Sequence, residues 1–177
     1  MMPLFGLIAD EIRRSGPIPV ARYMELCLLH PEYGYYATRD PFGVAGDFTT
    51  APEISQIFGE LLGLCLAQAW LDQGAPQPFT LAEIGPGRGT LMGDITRAIR
   101  IVPGMAGGAD RWLIEASPHL REKQKALLGA VTHTDTVADL PEAPLFLVAN
   151  EFFDALPIRQ FQRGPLGWSE RLIGLEE

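Results

Sequence analysis

The stretch Glu83-Ile-Gly-Pro-Gly-Arg-Gly89 constrains this chain more than any other. It directly follows a short apolar run, Phe79 to Ile84, and directly precedes an amphipathic one, Thr90 to Ile101. The first run reads as a buried strand and the second, with its 3.6-residue period, as a helix. Gly85 supplies a sharp turn, Gly87 lets the backbone approach a ligand that a Cβ would push away, and Gly89 permits close helix–strand packing. The helix start presents free N–H groups and partial positive charge. Strand, glycine loop and helix in that order point to a nucleotide-type cofactor site; the competing explanation is a Gly-rich turn without a ligand.

The elements that follow repeat the alternation. Trp112 to Ile114 reads as a second strand, and Ser117 caps a helix with Pro118 at its first position that runs to about Leu128. Val131 to His133 and Leu145 to Ala149 supply a third and a fourth strand. Strands alternating with helices predict a parallel sheet with right-handed crossovers. Ile158 to Gln162 then alternates as a strand, with Trp168 to Ile173 as its hairpin partner.

Upstream, Leu4, Ile8 and Ile12 mark a helix that stops at Gly16, and Val20, Met24 and Leu28 a second that ends before Pro31. Tyr33 to Tyr36 reads as an aromatic turn or short strand. Thr50 and Glu53 have capping-box spacing, with Pro52 between them, at the head of a long helix to about Leu71. Gln73 to Pro78 is a linker. Residues 1–75 are thus expected to form a helical N-terminal appendage and residues 76–177 an α/β core.

Charge narrows the partners. The 22 acidic and 14 basic side chains give a net charge of -8, and no Lys/Arg cluster breaks it. Nucleic-acid binders present a basic face, so nucleic acid is excluded as the expected partner. Cys27 and Cys65 sit in apolar helical patterns and read as buried free thiols of a reducing compartment. His30, His119 and His133 have no ligand spacing, so no metal is expected. The N-terminus lacks the basic n-region of a signal peptide. The longest apolar stretch, Leu61 to Leu71, is too short to span a bilayer. A soluble, intracellular chain is expected.

Spacing discriminates between cofactors. A dinucleotide fingerprint, GxGxxG, would place its third glycine at position 90, which is Thr90. The pattern present, ExGxGxG, resembles the first motif of class I S-adenosylmethionine methyltransferases. Glu115, which closes the second strand, suits the two hydroxyls of a ribose, or is a solvated helix lead-in. It lies further from Gly85 than the usual spacing of roughly twenty residues, and the Gly-rich loop from Pro103 to Asp110 accounts for the excess. Asn150-Glu-Phe-Phe-Asp-Ala-Leu-Pro157 follows the fourth strand, at the edge where such folds bind ligands. Glu151 or Asp154 could pair bidentately with a cationic acceptor, or Asn150 and Asp154 could merely cap and turn the chain. Spacing alone gives no role to Asp47, Phe48 or Thr49.

Taken together, GPIPVARYMELCLLHPEYGYY, GDFTTAPEISQIFGELLG, EIGPGRGTLMGDI, IEASPHLREKQ and ANEFFDALPIRQF resemble the MidA-like methyltransferase family of bacteria and mitochondria, in the family's order from Gly16 to Leu175. The resemblance implies a Rossmann-like class I methyltransferase core with an added N-terminal segment, and S-adenosylmethionine as cofactor. It also implies a protein substrate, methylated on arginine; the mitochondrial member is an arginine methyltransferase needed for assembly of respiratory complex I. It maps Glu83, Gly85, Gly87 and Gly89 to the cofactor loop and Glu115 to the ribose. It brings Asp47, Thr49, Thr50 and Glu53 into the site as a substrate or cofactor loop. Glu151 or Asp154, with Asn150 beside them, would then be the catalytic group that orients the guanidinium. By resemblance the protein works in the cytoplasm, or in the mitochondrial matrix, and the cytoplasm is preferred.

The family's chains are longer, and a class I sheet has seven strands. The chain is therefore expected to be a C-terminally truncated piece with an incomplete sheet, poorly soluble or else paired through its exposed edge with itself or a partner, and inactive on its own. Two rival functions remain. One is a nicotinamide-dependent oxidoreductase, which the glycine spacing argues against. The other is a non-catalytic, S-adenosylmethionine-binding assembly factor.

Overall fold

The computed structural model describes residues 3–38 and 50–176. In chain order its helices and strands are α1 Pro3–Ser15, β1 Ile18–Pro19, α2 Val20–Leu29, α3 Tyr35–Thr38, α4 Ala51–Ile54, α5 Gln56–Asp72, β2 Phe79–Ile84, α6 Thr90–Ile99, α7 Met105–Gly108, β3 Ala109–Ile114, α8 Pro118–Leu128, β4 Thr132–Thr134, β5 Leu145–Ala149, β6 Phe161–Gly164, β7 Gly167–Glu170 and β8 Leu172–Ile173. They fall into two compact units: α4 to β5 form one, and α1 to α3 join β6 to β8 in the other.

In the larger unit the four expected parallel strands are ordered β4-β3-β2-β5. Every residue of β2 is buried, so Phe-Thr-Leu-Ala-Glu-Ile shows none of the alternation of a one-sided strand. Phe79 and Leu81 of β2, Leu113 of β3, and Phe146 and Val148 of β5 pack with Trp70, Met92, Ile95 and Ile99 in one core. Ala82, Ile84 and Ile114 form a smaller cluster with Phe152. The strands run slightly differently from expectation: β3 begins at Ala109, and β4 covers Thr132–Thr134.

Helix α5, which the sequence placed in the appendage, belongs to this core. It lies close against α6 because Gly59 and Gly63 face it. A Cβ at Gly59 would come within 2.5 Å of the Asp94 Cβ, and one at Gly63 within 2.8 Å of the Ala98 Cβ. The expected boundary at residue 75 therefore differs from the observed division. The linker after α5 folds back, with the Trp70 indole donating to the Pro76 carbonyl at 2.9 Å.

The long helix is also broken, and Thr50 and Glu53 form no capping box. Thr50 makes no side-chain cap bond. Ser55, in extended backbone, ends α4 and caps α5 by accepting from the Ile57 N–H at 3.3 Å. Cys65 is exposed rather than buried, because α5 is apolar on its outer side too, with Ile57 and Leu61 exposed.

In the smaller unit, Ile8 and Ile12 of α1, Ile18 of β1 and Leu26 of α2 are buried together with Ile173 packed against them. The expected terminal hairpin is shorter than its sequence pattern: β6 pairs with β7, and Leu172-Ile173 turns away to pair antiparallel with β1. Tyr35 to Thr38 is a helical turn, not a strand. Gly34 allows the chain to close on the preceding residues, since a Cβ there would lie 2.4 Å from the His30 backbone nitrogen.

Candidate cofactor site

Strands β3 and β4 lie on one side of β2, and the chain then crosses to place β5 on the other. Ligands of open parallel sheets bind outside the carboxyl ends of the strands where the order reverses in this way. A cleft opens there, lined among others by Glu53, Glu83, Gly85, Gly87, Asn150 and Glu151. All three loop glycines adopt left-handed backbone, with φ of 63° at Gly85, 54° at Gly87 and 86° at Gly89. L-residues with side chains rarely hold that conformation. A Cβ at Gly85 would also meet the Phe152 ring at 2.4 Å, and one at Gly89 would press on Leu128 at 3.2 Å and Gln124 at 3.3 Å. Gly89 thus serves packing, as expected, but against helix α8.

The electrostatics of the cleft centre on carboxyl groups. Glu83 is 3% exposed, and burial pushes its carboxyl up to about 8 against one stabilising bond from the Met92 N–H. Its Oε2 has no hydrogen-bond partner among the described residues. Glu53 accepts from the Thr90 hydroxyl at 2.8 Å and lies 4.0 Å from an Arg88 guanidinium nitrogen. At the end of β5, Glu151 holds a φ of 47°, a strained value for a residue with a side chain. Thr50 also lines the cleft. Asp47 and Thr49 lie outside the described residues. Asp154 belongs to the smaller unit, in a single turn from Phe153 to Ala155. There its charge, after burial, pushes the Tyr36 phenol up.

Glu115 sits where β3 gives way to α8. Its N–H donates to the Thr134 carbonyl at 3.1 Å. Its carboxylate accepts from the Ser117 N–H at 2.8 Å and from Gln124 Nε2 at 3.3 Å. Burial outweighs these bonds and holds its pKa above the usual carboxylate range. A residue that the sequence reading missed connects Glu115 to the glycine loop. Gln124 is fully buried, and its Nε2 also donates to the Gly87 carbonyl at 2.6 Å. Its Oε1 faces His133 Nε2 at 2.8 Å. Flanked by Lys123 and Lys125, Gln124 reads as a solvated helix residue. The signal that could have found it is Leu120, Gln124 and Leu128, a helical stripe interrupted by one polar position.

Among the described residues no group of His, Cys, Asp and Glu could hold a metal, and no helix is long and apolar enough to cross a membrane. Residues 61–177 match the family profile described as "Putative S-adenosyl-L-methionine-dependent methyltransferase". The zebrafish (Danio rerio) mitochondrial protein arginine methyltransferase NDUFAF7 is 39% identical over 96% of this chain and 46% of its own. The human (Homo sapiens) protein of the same name is 38% identical over 98% of this chain and 45% of its own. A Burkholderia thailandensis crystal structure bound to S-adenosyl-homocysteine superposes with a TM-score of 0.78 at 31% identity, over 98% of this chain and 47% of that one. The chain therefore spans somewhat under half the length of the relatives it matches. Its Rossmann-like α/β fold is the one it shares with that structure.

Proposed function

We propose, for a chain that belongs to the S-adenosyl-L-methionine-dependent methyltransferase family so described, that the cleft beside β2 and β5 holds S-adenosylmethionine and that the whole protein methylates arginine side chains of a protein. The observation that carries this reading is the cradle itself. Three left-handed glycines open the loop at the start of α6, beside a buried carboxyl with one unsatisfied oxygen. A cofactor bearing an ammonium, a carboxylate and a ribose fits such a donor and acceptor set. Glu83 would take the ammonium, the N–H groups at the start of α6 the carboxylate, and Glu115 the ribose hydroxyls. The S-adenosyl-homocysteine in the similar crystal structure supports the cofactor, and the names of the zebrafish and human relatives support the acceptor.

When bound, the cofactor supplies an electrophilic methyl carbon on a sulfonium sulfur. The chain's own part is placement, since an acceptor nitrogen held in line needs little further help. Glu151, with Asn150 beside it, orients the guanidinium through paired hydrogen bonds and takes its proton as the new bond forms. The guanidinium is too weakly acidic to lose that proton beforehand. Asp154 is the second candidate for the same task. Thr50 and Glu53, which line the cleft, meet cofactor or substrate, and Asp47 and Thr49 act with them. The protein acts in the cytoplasm, whereas the named relatives are mitochondrial. The outer edge of β5, where Leu145 and Leu147 are exposed, is the route to an oligomer or a partner chain.

The test is transfer of radiolabelled methyl from S-adenosylmethionine by the full-length parent to proteins of a lysate lacking its gene, followed by hydrolysis. Label recovered as methylarginine is the expected result. Label on another residue would overturn the acceptor, and no transfer by a protein that binds the cofactor would overturn the enzyme.

A further inference from the structure

We infer that Gln124 is a positioning residue, which locks the ribose carboxylate of Glu115 and the glycine loop into one register; the inference rests on the cofactor reading above. Its amide joins two elements that would otherwise meet the ligand independently, and ties both to β4 through His133. One N–H goes to the Gly87 carbonyl at 2.6 Å and the other to Glu115 Oε2 at 3.3 Å. With both hydrogens committed to acceptors, Oε1 must accept from the side facing His133. The 2.8 Å contact there then requires the hydrogen on His133 Nε2. A flipped amide would set its oxygen against a carbonyl and a carboxylate.

The effect on Glu115 is specific. The Ser117 N–H holds one carboxylate oxygen at 2.8 Å and Gln124 the other, so the group is fixed from two sides. A carboxylate offers about four acceptor sites, so each oxygen keeps capacity for a ribose hydroxyl. Gly89 lets α8 approach closely enough for this, since a Cβ there would meet Gln124 Cγ at 3.3 Å. The competing account is a buried glutamine that only holds helix α8 in place. The two accounts differ in what they do to ribose recognition. Loss of a structural tie weakens every ligand alike, whereas loss of positioning removes the preference for the hydroxyls.

The experiment compares S-adenosyl-homocysteine with its 2′-deoxy analogue by calorimetry on the full-length parent chain and its variants. The unaltered chain should prefer the hydroxylated ligand by roughly tenfold or more, the usual worth of a hydrogen bond to a charged group. In Gln124→Met, of similar length and without donors, the preference should fall to about threefold or less. His133→Phe keeps Gln124 but removes the partner of its Oε1, and should lower the preference in the same direction by less. It decides the matter if Gln124→Met does not fold. A variant that weakens both ligands equally, leaving their ratio unchanged, would overturn the positioning role while the cofactor reading stands. No binding of S-adenosyl-homocysteine to the unaltered, folded chain would overturn both.

Discussion

The Thr90 hydroxyl donates to Glu53 Oε1 across 2.8 Å, joining helix α4 to the first residue of helix α6. Glu53 is therefore not the partner of a local cap. It braces the wall of the cleft against the helix whose N-terminus faces it. A hydroxyl bonded to a carboxylate in a partly buried setting is worth about 1 to 2 kcal/mol. Thr90→Val, which keeps the shape and removes the donor, should lower stability by about that much in urea denaturation. Glu53→Gln, which keeps an acceptor, should lose less. An unchanged midpoint in Thr90→Val would show that the contact contributes nothing.

The glycine loop makes a second, local prediction. Gly85→Ala introduces a Cβ 2.4 Å from the Phe152 ring at a φ of 63°. The backbone alone should cost on the order of 1 to 3 kcal/mol. Adding Phe152→Leu should recover only the steric part. Full recovery in the double variant would show that the left-handed backbone carries no strain.

Much of this was legible in the sequence, and the exceptions have physical causes. Glycines at 85, 87 and 89 are readable because few other residues tolerate the backbone they adopt. The four parallel strands are readable because β2 is apolar on both faces. Thr50 and Glu53 misled because capping-box spacing is a local pattern, whereas the distant Thr90 takes the Glu53 carboxylate and the Thr50 carbonyl takes the Glu53 N–H. Helix α5 misled because a proline-containing linker resembles a domain boundary, and only the close fit of Gly59 and Gly63 on α6 reveals where it packs. Gln124 was missed because burial of a polar side chain depends on partners from three separate elements, at which the stripe of Leu120 and Leu128 only hints.

Acidity of Glu83 gives a pH dependence with a definite sign. Folding raises its pKa to about 8. Between its ordinary value and about 8, the folded chain holds a proton that the unfolded chain has released. Stability is therefore greatest below that window and falls as pH rises through it. Glu83→Gln should flatten the fall in thermal melts from pH 5 to 8, leaving a residue from Glu115, which burial raises as well. An ammonium beside Glu83 would favour its ionised form, so ligand binding below pH 8 should release a proton. Calorimetry in two buffers of different ionisation enthalpy measures it. A release that persists in Glu83→Gln would place the proton elsewhere.

Ribose and acceptor carboxylates should separate by phenotype. Glu115→Ala should weaken S-adenosyl-homocysteine binding by about 1.5 to 3 kcal/mol, and Glu115→Gln by less. Glu151→Ala and Asp154→Ala in the full-length parent should spare cofactor affinity and lower turnover. Lost cofactor binding with turnover per bound cofactor intact would move Glu151 or Asp154 into the cofactor's own shell.

Calorimetry with S-adenosyl-homocysteine shows whether this cleft binds S-adenosylmethionine through its glycine loop. The chain should bind that ligand and not NAD. Gly87→Val, which puts a branched side chain at a φ of 54° beside the cleft, should lose binding while its circular dichroism stays that of a folded protein. Equal affinity in Gly87→Val, or preference of the unaltered chain for NAD, would contradict the assignment.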